Sequence, residues 1–521
     1  MHGHATHGVA GVYWELDPVR QNMRPGEKLA VHADIPAAGL MAHPRLPHKA
    51  GVRYQINKRG LRMHTEKLAA AVMKLQYHDL PPEARDAARG AFLDGVGNIL
   101  AGSREELGLI LAGHAAEFRG AEIATVFGHG FKTTPTEAAF VNGAFCHALD
   151  FELMWIPPTH PAGTTLPAIL ALSEMLPISG TQAILALCAG FEVQGRFRLA
   201  TLGAGELAAE GIHPPGLVGP MGTAASAARL LGLDQGQLRY AFGIAASRIG
   251  GLSANTGTMT KSTHSGHAAR MGLEAALLAR RGFTASASVF ETQRGINEIF
   301  FHGKLDLDAL HDGFAAPLRM VKPGLIVKRF PAQYTTHWVI NAALDIHEEL
   351  TDPAAQIDSV LVEAGANNPA LHRLPQSGLD GKFSIPYTVA VALLDGHVRI
   401  DSFSDARWQG SDLRDMLGRI TLQGLEGVNA LDFENTEGRV TVRLRDGSEI
   451  SRTVTRPRGV PDNPVSWNER LDKFRDCACR AVNPEGIDAL ITAITGLEEL
   501  NDLSQLARLV DRHALPGADR A

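Results

Sequence analysis

The sequence predicts a mainly α protein in which a large, discontinuous all-helical domain carries a smaller α+β lid domain. Three observations carry that prediction. Apolar residues recur at helical spacing from Thr65 to about residue 320, the period shifts toward two beyond residue 323, and helical spacing returns after Pro464. The expected boundaries are 63–322 with 465–515 for the helical domain and 323–464 for the lid. Glycine and alanine crowd several helical stretches, such as Ala138 to Ala148, and their small side chains let helices approach closely.

Residues 1–62 have no helical period and mix His2, His4 and His7 with scattered prolines and glycines. They read as a disordered leader rather than a metal site, with Met63 as an alternative start. Leu68, Val72, Met73 and Leu75 then share a helical face, and Asp79-Leu-Pro-Pro stops that helix and starts the next, Ala84 to Leu100. Thr134 and Pro135 form an N-cap and first-turn pair, Gly180-Thr181 opens Ala183 to Val193, and further helices are expected over Thr223–Leu231 and Ala268–Arg280. Strands are expected at Ser359-Val-Leu-Val-Glu, Arg419-Ile-Thr-Leu, and the pair Arg439–Leu444 and Glu449–Val454, with Asp446-Gly447 predicting a type I′ turn between the last two. Leu471–Cys479 and Ile487–Leu509 return to helical spacing and are expected to pack back on the first domain.

The chain has 521 residues, enough for two or three domains at roughly 100–200 residues each. Its 50 basic and 56 acidic residues leave a net charge of −6, which provides no overall positive field for nucleic acid. The 4 cysteines form neither a disulfide framework nor a metal-ligand spacing, so a reducing, cytoplasmic setting is expected. No apolar run approaches the about 18 residues of a membrane span, and no signal segment precedes Thr65.

Polar side chains gather in five segments. Asp150 ends an alanine-rich stretch and His160 sits between prolines ten residues later, while His213 lies in a Pro/Gly loop before a helix, where free N–H groups favour a carboxylate. The glycine-rich run Gly250 to Gly266 delivers Asn255, Lys261 and His264 to a helix start, suited to a small anion but without the Gly-Lys of a nucleotide-binding loop. Lys328 and Arg329 stand beside Pro331, and Lys382-Phe-Ser-Ile-Pro-Tyr387 opens an apolar helix. Each segment alone is equally a cap, a tight turn, a solvated pair or a core tyrosine.

In order and spacing, His147-Ala-Leu-Asp150-Phe, Thr159-His160-Pro161, His213-Pro-Pro, Gly257-Thr-Met-Thr-Lys261-Ser-Thr-His264, Lys328-Arg-Phe-Pro331, Phe383-Ser-Ile-Pro-Tyr387 and Gly459-Val-Pro-Asp-Asn-Pro464 resemble the MmgE/PrpD family of 2-methylcitrate dehydratases, cis-aconitate decarboxylases and iminodisuccinate epimerases. The resemblance spans about residues 65–510. It implies a homodimer with its active site between helical domain and lid, and cofactor-free, metal-free lyase chemistry on a small di- or tricarboxylate through a carbanion next to a carboxylate. An epimerase on a C4 dicarboxylate and a non-catalytic polycarboxylate-binding protein are the alternatives. The resemblance places Lys261 as electrostatic stabiliser, His160 as general acid/base, His213 on a second carboxylate or sharing the proton transfer, Asp150 orienting a histidine, and Tyr387 donating from the lid. Asn255, His264, Lys328, Arg329, Gln333 and Met154 are expected to line the substrate. Two positions depart from the decarboxylase pattern: Glu152-Leu153-Met154 stands where it has Asp-Asp-Thr, and Gln333 where it has a histidine. Methionine donates no hydrogen bond and a glutamine amide transfers no proton at neutral pH.

Overall fold

A computed structural model describes residues 63–202 and 211–516; the expectation for 1–62 lies outside the described residues. The first helices are α1 (His64–Lys74), α2 (Pro82–Gly102), α3 (Glu106–Glu117), α4 (Pro135–His147), α5 (Pro161–Ser173), α6 (Gly180–Thr201), α7 (Pro214–Leu231), α8 (Gln235–Ala246) and α9 (Met259–Arg280). The Thr134 hydroxyl accepts from Glu137 N at 3.3 Å, and Pro135 fills the first turn, as the sequence predicts. α7 and α9 begin earlier than their apolar spacing suggests, at Pro214 and Met259, because proline and polar residues in a first turn carry little periodicity. A short antiparallel pair, β1 (Ala124–Val126) and β2 (Phe131–Thr133), interrupts the helices; at 3 residues each, no alternation signals it.

Two hydrophobic cores form. One draws on buried residues from Leu68 to Met320 and again from Phe474 to Val510, so the C-terminal helices return to the first layer and Trp467–Ala478 packs on α2. The other runs from Phe330 to Val442. It lies beneath a mixed sheet of order β4-β3-β5-β6, formed by β3 (Ile357–Gly365), β4 (Ile420–Leu425), β5 (Gly438–Leu444) and β6 (Glu449–Val454). β3 pairs parallel with β4 and antiparallel with β5, while the helices His337–His347 and Ile385–Asp395 pack against β5–β6 and β4. Val440 and Val442 point inward from β5 while its alternate residues are partly exposed.

The β5–β6 turn departs from expectation. Leu444 N donates to Ser448 O at 2.8 Å, and only Gly447, at φ 88°, enters the left-handed region, so Arg445–Gly447 is a three-residue loop rather than a type I′ turn. The expected helix 487–509 is also broken, into Pro484–Thr495, Leu497–Glu499 and Gln505–Arg512. Among the described residues no helix is long and apolar enough to cross a membrane.

Candidate active site

The site is built where helix ends converge. His147 closes α4, His160 and His213 occupy the N-caps of α5 and α7, and Lys261 and His264 lie in the first two turns of α9. Glycines bring the backbones this close. A Cβ on Gly143 would stand 2.8 Å from both Gly163 O and the Gly266 Cα, and one on Gly266 would overlap the Phe140 carbonyl. The N-termini of α5, α7 and α9 carry these residues, and helix N-termini favour nearby negative charge.

Asp150 follows α4 in the left-handed region at φ 52°, a conformation a non-glycine residue holds only when its surroundings enforce it. Here the surroundings are two ammonium groups. Lys261 Nζ and Lys328 Nζ each lie 3.1 Å from Asp150 Oδ1, and Lys328 also donates to the Asp150 carbonyl at 2.6 Å. Burial would raise the Asp150 pKa, but Lys261 and then Lys328 hold its carboxyl well below the usual range. The loop is pinned from below by Lys473, whose Nζ donates to Phe151 O at 2.7 Å and Lys328 O at 2.9 Å and pairs with Asp94 Oδ1 at 2.6 Å.

Beside this cluster His147, His160, His213 and His264 form a chain of imidazoles, with ring centroids 4.8 Å apart for His147–His160, 5.3 Å for His147–His213 and 5.3 Å for His213–His264. Glu152, fully buried, takes His147 Nδ1 as a close partner and lies 3.4 Å from His160 Nδ1. His160 Nε2 then faces Asp150 Oδ1 at 3.8 Å. The His147 ring is closed to solvent, whereas 11% of the His160 side chain stays exposed, and His213 and His264 are likewise slightly exposed. Burial, then Lys328 and His147, pushes the His160 pKa well down; burial, then His147 and Lys261, lowers His213 to about 2; burial lowers His264. These three rings are uncharged at neutral pH.

The cleft beside them has a volume of about 400 Å³ and is lined by Asp150, Lys261, Ser262, Gln333, Arg373 and Lys382, so both cores contribute to it. Several expected residues lie elsewhere. Met154 pairs its backbone with Ile326 (N to O 2.9 Å), and its side chain packs among Ile326, Tyr334, Trp338 and Val460. Arg329 turns outward to Glu469 at 3.9 Å, while Lys328 takes the inner side at Asp150. Tyr387 is a core residue: its ring is fully buried against Phe403 and Trp408, and its hydroxyl donates to Ser402 O at 2.7 Å. Asn255 sits in the turn Ser253–Asn255 outside the cleft lining, with its carbonyl accepting from Thr258 N at 3.0 Å. Sequence reasoning left Glu152 out of the site and gave His147 no role. Their only signal was a buried acid–imidazole pair flanking Asp150.

Two groups among the described residues offer metal-type donors. His147, Asp150, Glu152 and His160 place ligand atoms within 4.8 Å of one another, but the two ammonium groups already on Asp150 oppose a dication there. In the other group, with Asp308, His64 Nδ1 and His311 Nε2 face each other at 3.0 Å as hydrogen-bond partners.

A helical body, an α+β region above it and a lysine–histidine cleft between them define a class of two-core proteins built to hold small anions. The chain belongs to the MmgE/PrpD family: the model of its N-terminal domain matches residues 66–308 and that of its C-terminal domain residues 330–498. The human protein named cis-aconitate decarboxylase is 30% identical over 464 residues, covering 86% of this chain and 95% of its own length. The Aspergillus terreus protein of the same name is 28% identical over 477 residues, covering 86% of this chain and 96% of its own. The Salmonella typhimurium protein named 2-methylcitrate dehydratase is 26% identical over 364 residues, covering 64% of this chain and 72% of its own.

Proposed function

We propose that the protein is a cofactor-independent lyase that acts on a small tricarboxylate or dicarboxylate by moving a proton at the carbon next to a carboxylate, as the names of its relatives suggest. The observation that carries this reading is the His160 imidazole standing 3.8 Å from Asp150 Oδ1, beside the Asp150–Lys261–Lys328 cluster. Removing a proton α to a carboxylate builds enediolate charge. Lys261 and Lys328, with the helix N-termini, stabilise that charge, and His160 Nε2 takes or returns the proton. In dehydration His160 Nε2 removes the carbon-bound proton, the C–O bond breaks, and the resulting His160 imidazolium returns that proton to the departing hydroxide as water; in decarboxylation the C–C bond to carboxylate breaks, CO2 departs, and the carbanion takes a proton delivered from solvent through His160. Glu152 is hydrogen-bonded to His147 Nδ1 and places its charge 3.4 Å from His160 Nδ1, while Asp150 fixes the two lysines.

The lyase reading is favoured over epimerisation by Gln333. Epimerisation returns the proton to the opposite face of the carbon, and the α+β region offers an amide at that position of the cleft. We read the α+β region as a lid and the working form as a cytoplasmic homodimer; free buried Cys146, Cys188 and Cys477 fit a reducing setting. Incubation in D2O with C4 to C7 di- and tricarboxylates, followed by NMR, tests the function. Loss of water or release of CO2 supports it, exchange without net reaction replaces it with epimerisation, and no exchange with any compound leaves a binding protein.

A further inference from the structure

We propose that Lys382 binds the substrate carboxylate most remote from the reacting carbon and thereby selects tricarboxylates over dicarboxylates. The inference rests on the polycarboxylate reading above and concerns a residue to which that reading gives no part.

The cations of the cleft differ in what answers their charge. Lys261 and Lys328 share Asp150 at 3.1 Å each, and Arg373 is closely paired with Asp380. Lys382 is only 5% exposed, yet among the described residues its ammonium has no hydrogen-bond acceptor and no carboxylate oxygen within 4.0 Å. The Phe403 ring centroid lies 5.9 Å from its Nζ. The ammonium is not among the polar atoms sealed away from solvent without a partner, and Lys382 lines the cleft, so the surface it keeps opens there. A desolvated cation without an anion is costly in the empty protein, and a carboxylate arriving in the cleft removes that cost. Burial pushes its pKa down, opposed only from beyond ion-pair distance by Glu105 and Asp150.

The lysine is held in place. It lies in the turn Leu379–Phe383, its carbonyl accepts from Gln333 N at 2.9 Å, and Gly381 beside it lies so close to the Tyr387 ring that an added Cβ would stand 2.6 Å away. Tyr387 thus acts on the site by supporting this turn. A compact ammonium reads charge more than planar geometry, which suits telling three carboxylates from two. One substrate carboxylate is engaged at the reacting end by Lys261 and Lys328, and the far carboxylate completes Lys382.

The test uses the full chain and its Lys382→Met and Lys382→Arg variants, with the structural integrity of each checked by circular dichroism. Competitive inhibition, or thermal-shift binding, is measured with propane-1,2,3-tricarboxylate and with glutarate. The Met variant keeps the apolar stem beside Phe403 and should weaken the tricarboxylate by roughly 30-fold or more while leaving glutarate within about 2-fold. The Arg variant should recover most of the difference. Equal weakening of both ligands, or of neither, overturns the role of Lys382 while the function stands. Failure of the unaltered protein to bind either compound rejects the polycarboxylate reading itself. If the Met variant does not fold, the Arg variant decides: unchanged preference supports the charge assignment, and lost preference overturns it.

Discussion

Lys261, in the first turn of α9, donates to the carboxylate of Asp150, in the loop after α4, at 3.1 Å across 111 residues of sequence. The pair keeps a cation at the point where enediolate charge would form. Lys261→Ala is expected to lower kcat by about 10²–10³ with a smaller change in KM, as measured by steady-state kinetics, because the interaction strengthens as charge builds. Unchanged turnover would remove Lys261 from the mechanism.

The Glu152–His160 relationship makes a separate prediction. Glu152→Gln leaves the shape of the loop but removes the carboxylate charge beside the His147 and His160 rings, so both kcat and the rate of solvent-deuterium exchange should fall by about 10²-fold or more, and His160→Gln should fall at least as far. Exchange that persists at full rate in His160→Gln would move the proton-transfer role to another group.

For Tyr387 the structure predicts the opposite of a catalytic phenotype. Tyr387→Phe removes the hydrogen bond to Ser402 O and should cost about 1 kcal/mol in denaturant unfolding while kcat stays within about 3-fold. A large loss of kcat without loss of stability would return the hydroxyl to the chemistry.

The buried histidines set the acid limit of the fold. His213 is lowered to about 2 and His337 to about 3, chiefly by burial. The unfolded chain, with ordinary imidazoles near 6.5, binds protons that the folded protein refuses between those values. Stability should therefore be flat above about pH 6.5 and fall as pH drops below it, by up to about 1.4 kcal/mol per pH unit for each such histidine. Urea titrations between pH 4 and 8 check this, and His337→Phe should flatten the slope. A slope that does not change rules His337 out as a contributor.

The helix crossings have no slack. Gly266→Val forces side-chain atoms into the Phe140 carbonyl and should destabilise by about 2 kcal/mol or more, while displacing His147 and Lys261 enough to lower turnover. Wild-type stability and kinetics in that variant would mean that α4 and α9 accommodate the insertion.

The helical body, the change of period near residue 323 and the loops bearing Asp150, His160, His213, Lys261 and Lys328 were legible because each has a local signal: spacing, a cap, a glycine run or an ordered family motif. What escaped depends on chain direction in three dimensions. The left-handed turn at Asp150 folds Glu152 back beneath His147, and no residue spacing expresses that. The backbone bend at Arg329 sends Lys328 inward and Arg329 outward, adjacent cations that look alike in sequence. Tyr387 and Met154 are apolar-compatible residues whose motifs fit a core as well as a cleft, and only the neighbouring sheet and strand decide between them.

Lys473 gives the cleft a fixed edge. By tying the carbonyls of Phe151 and Lys328 to Asp94 in the helical body, it joins the two cores at one end. Among the described residues the opposite rim, at Gln333 and the Leu379–Phe383 turn, has no such buried ion pair to α2. If the α+β region moves as a lid, amide exchange is expected to be slow around Phe151 and Lys328 and faster at 377–383.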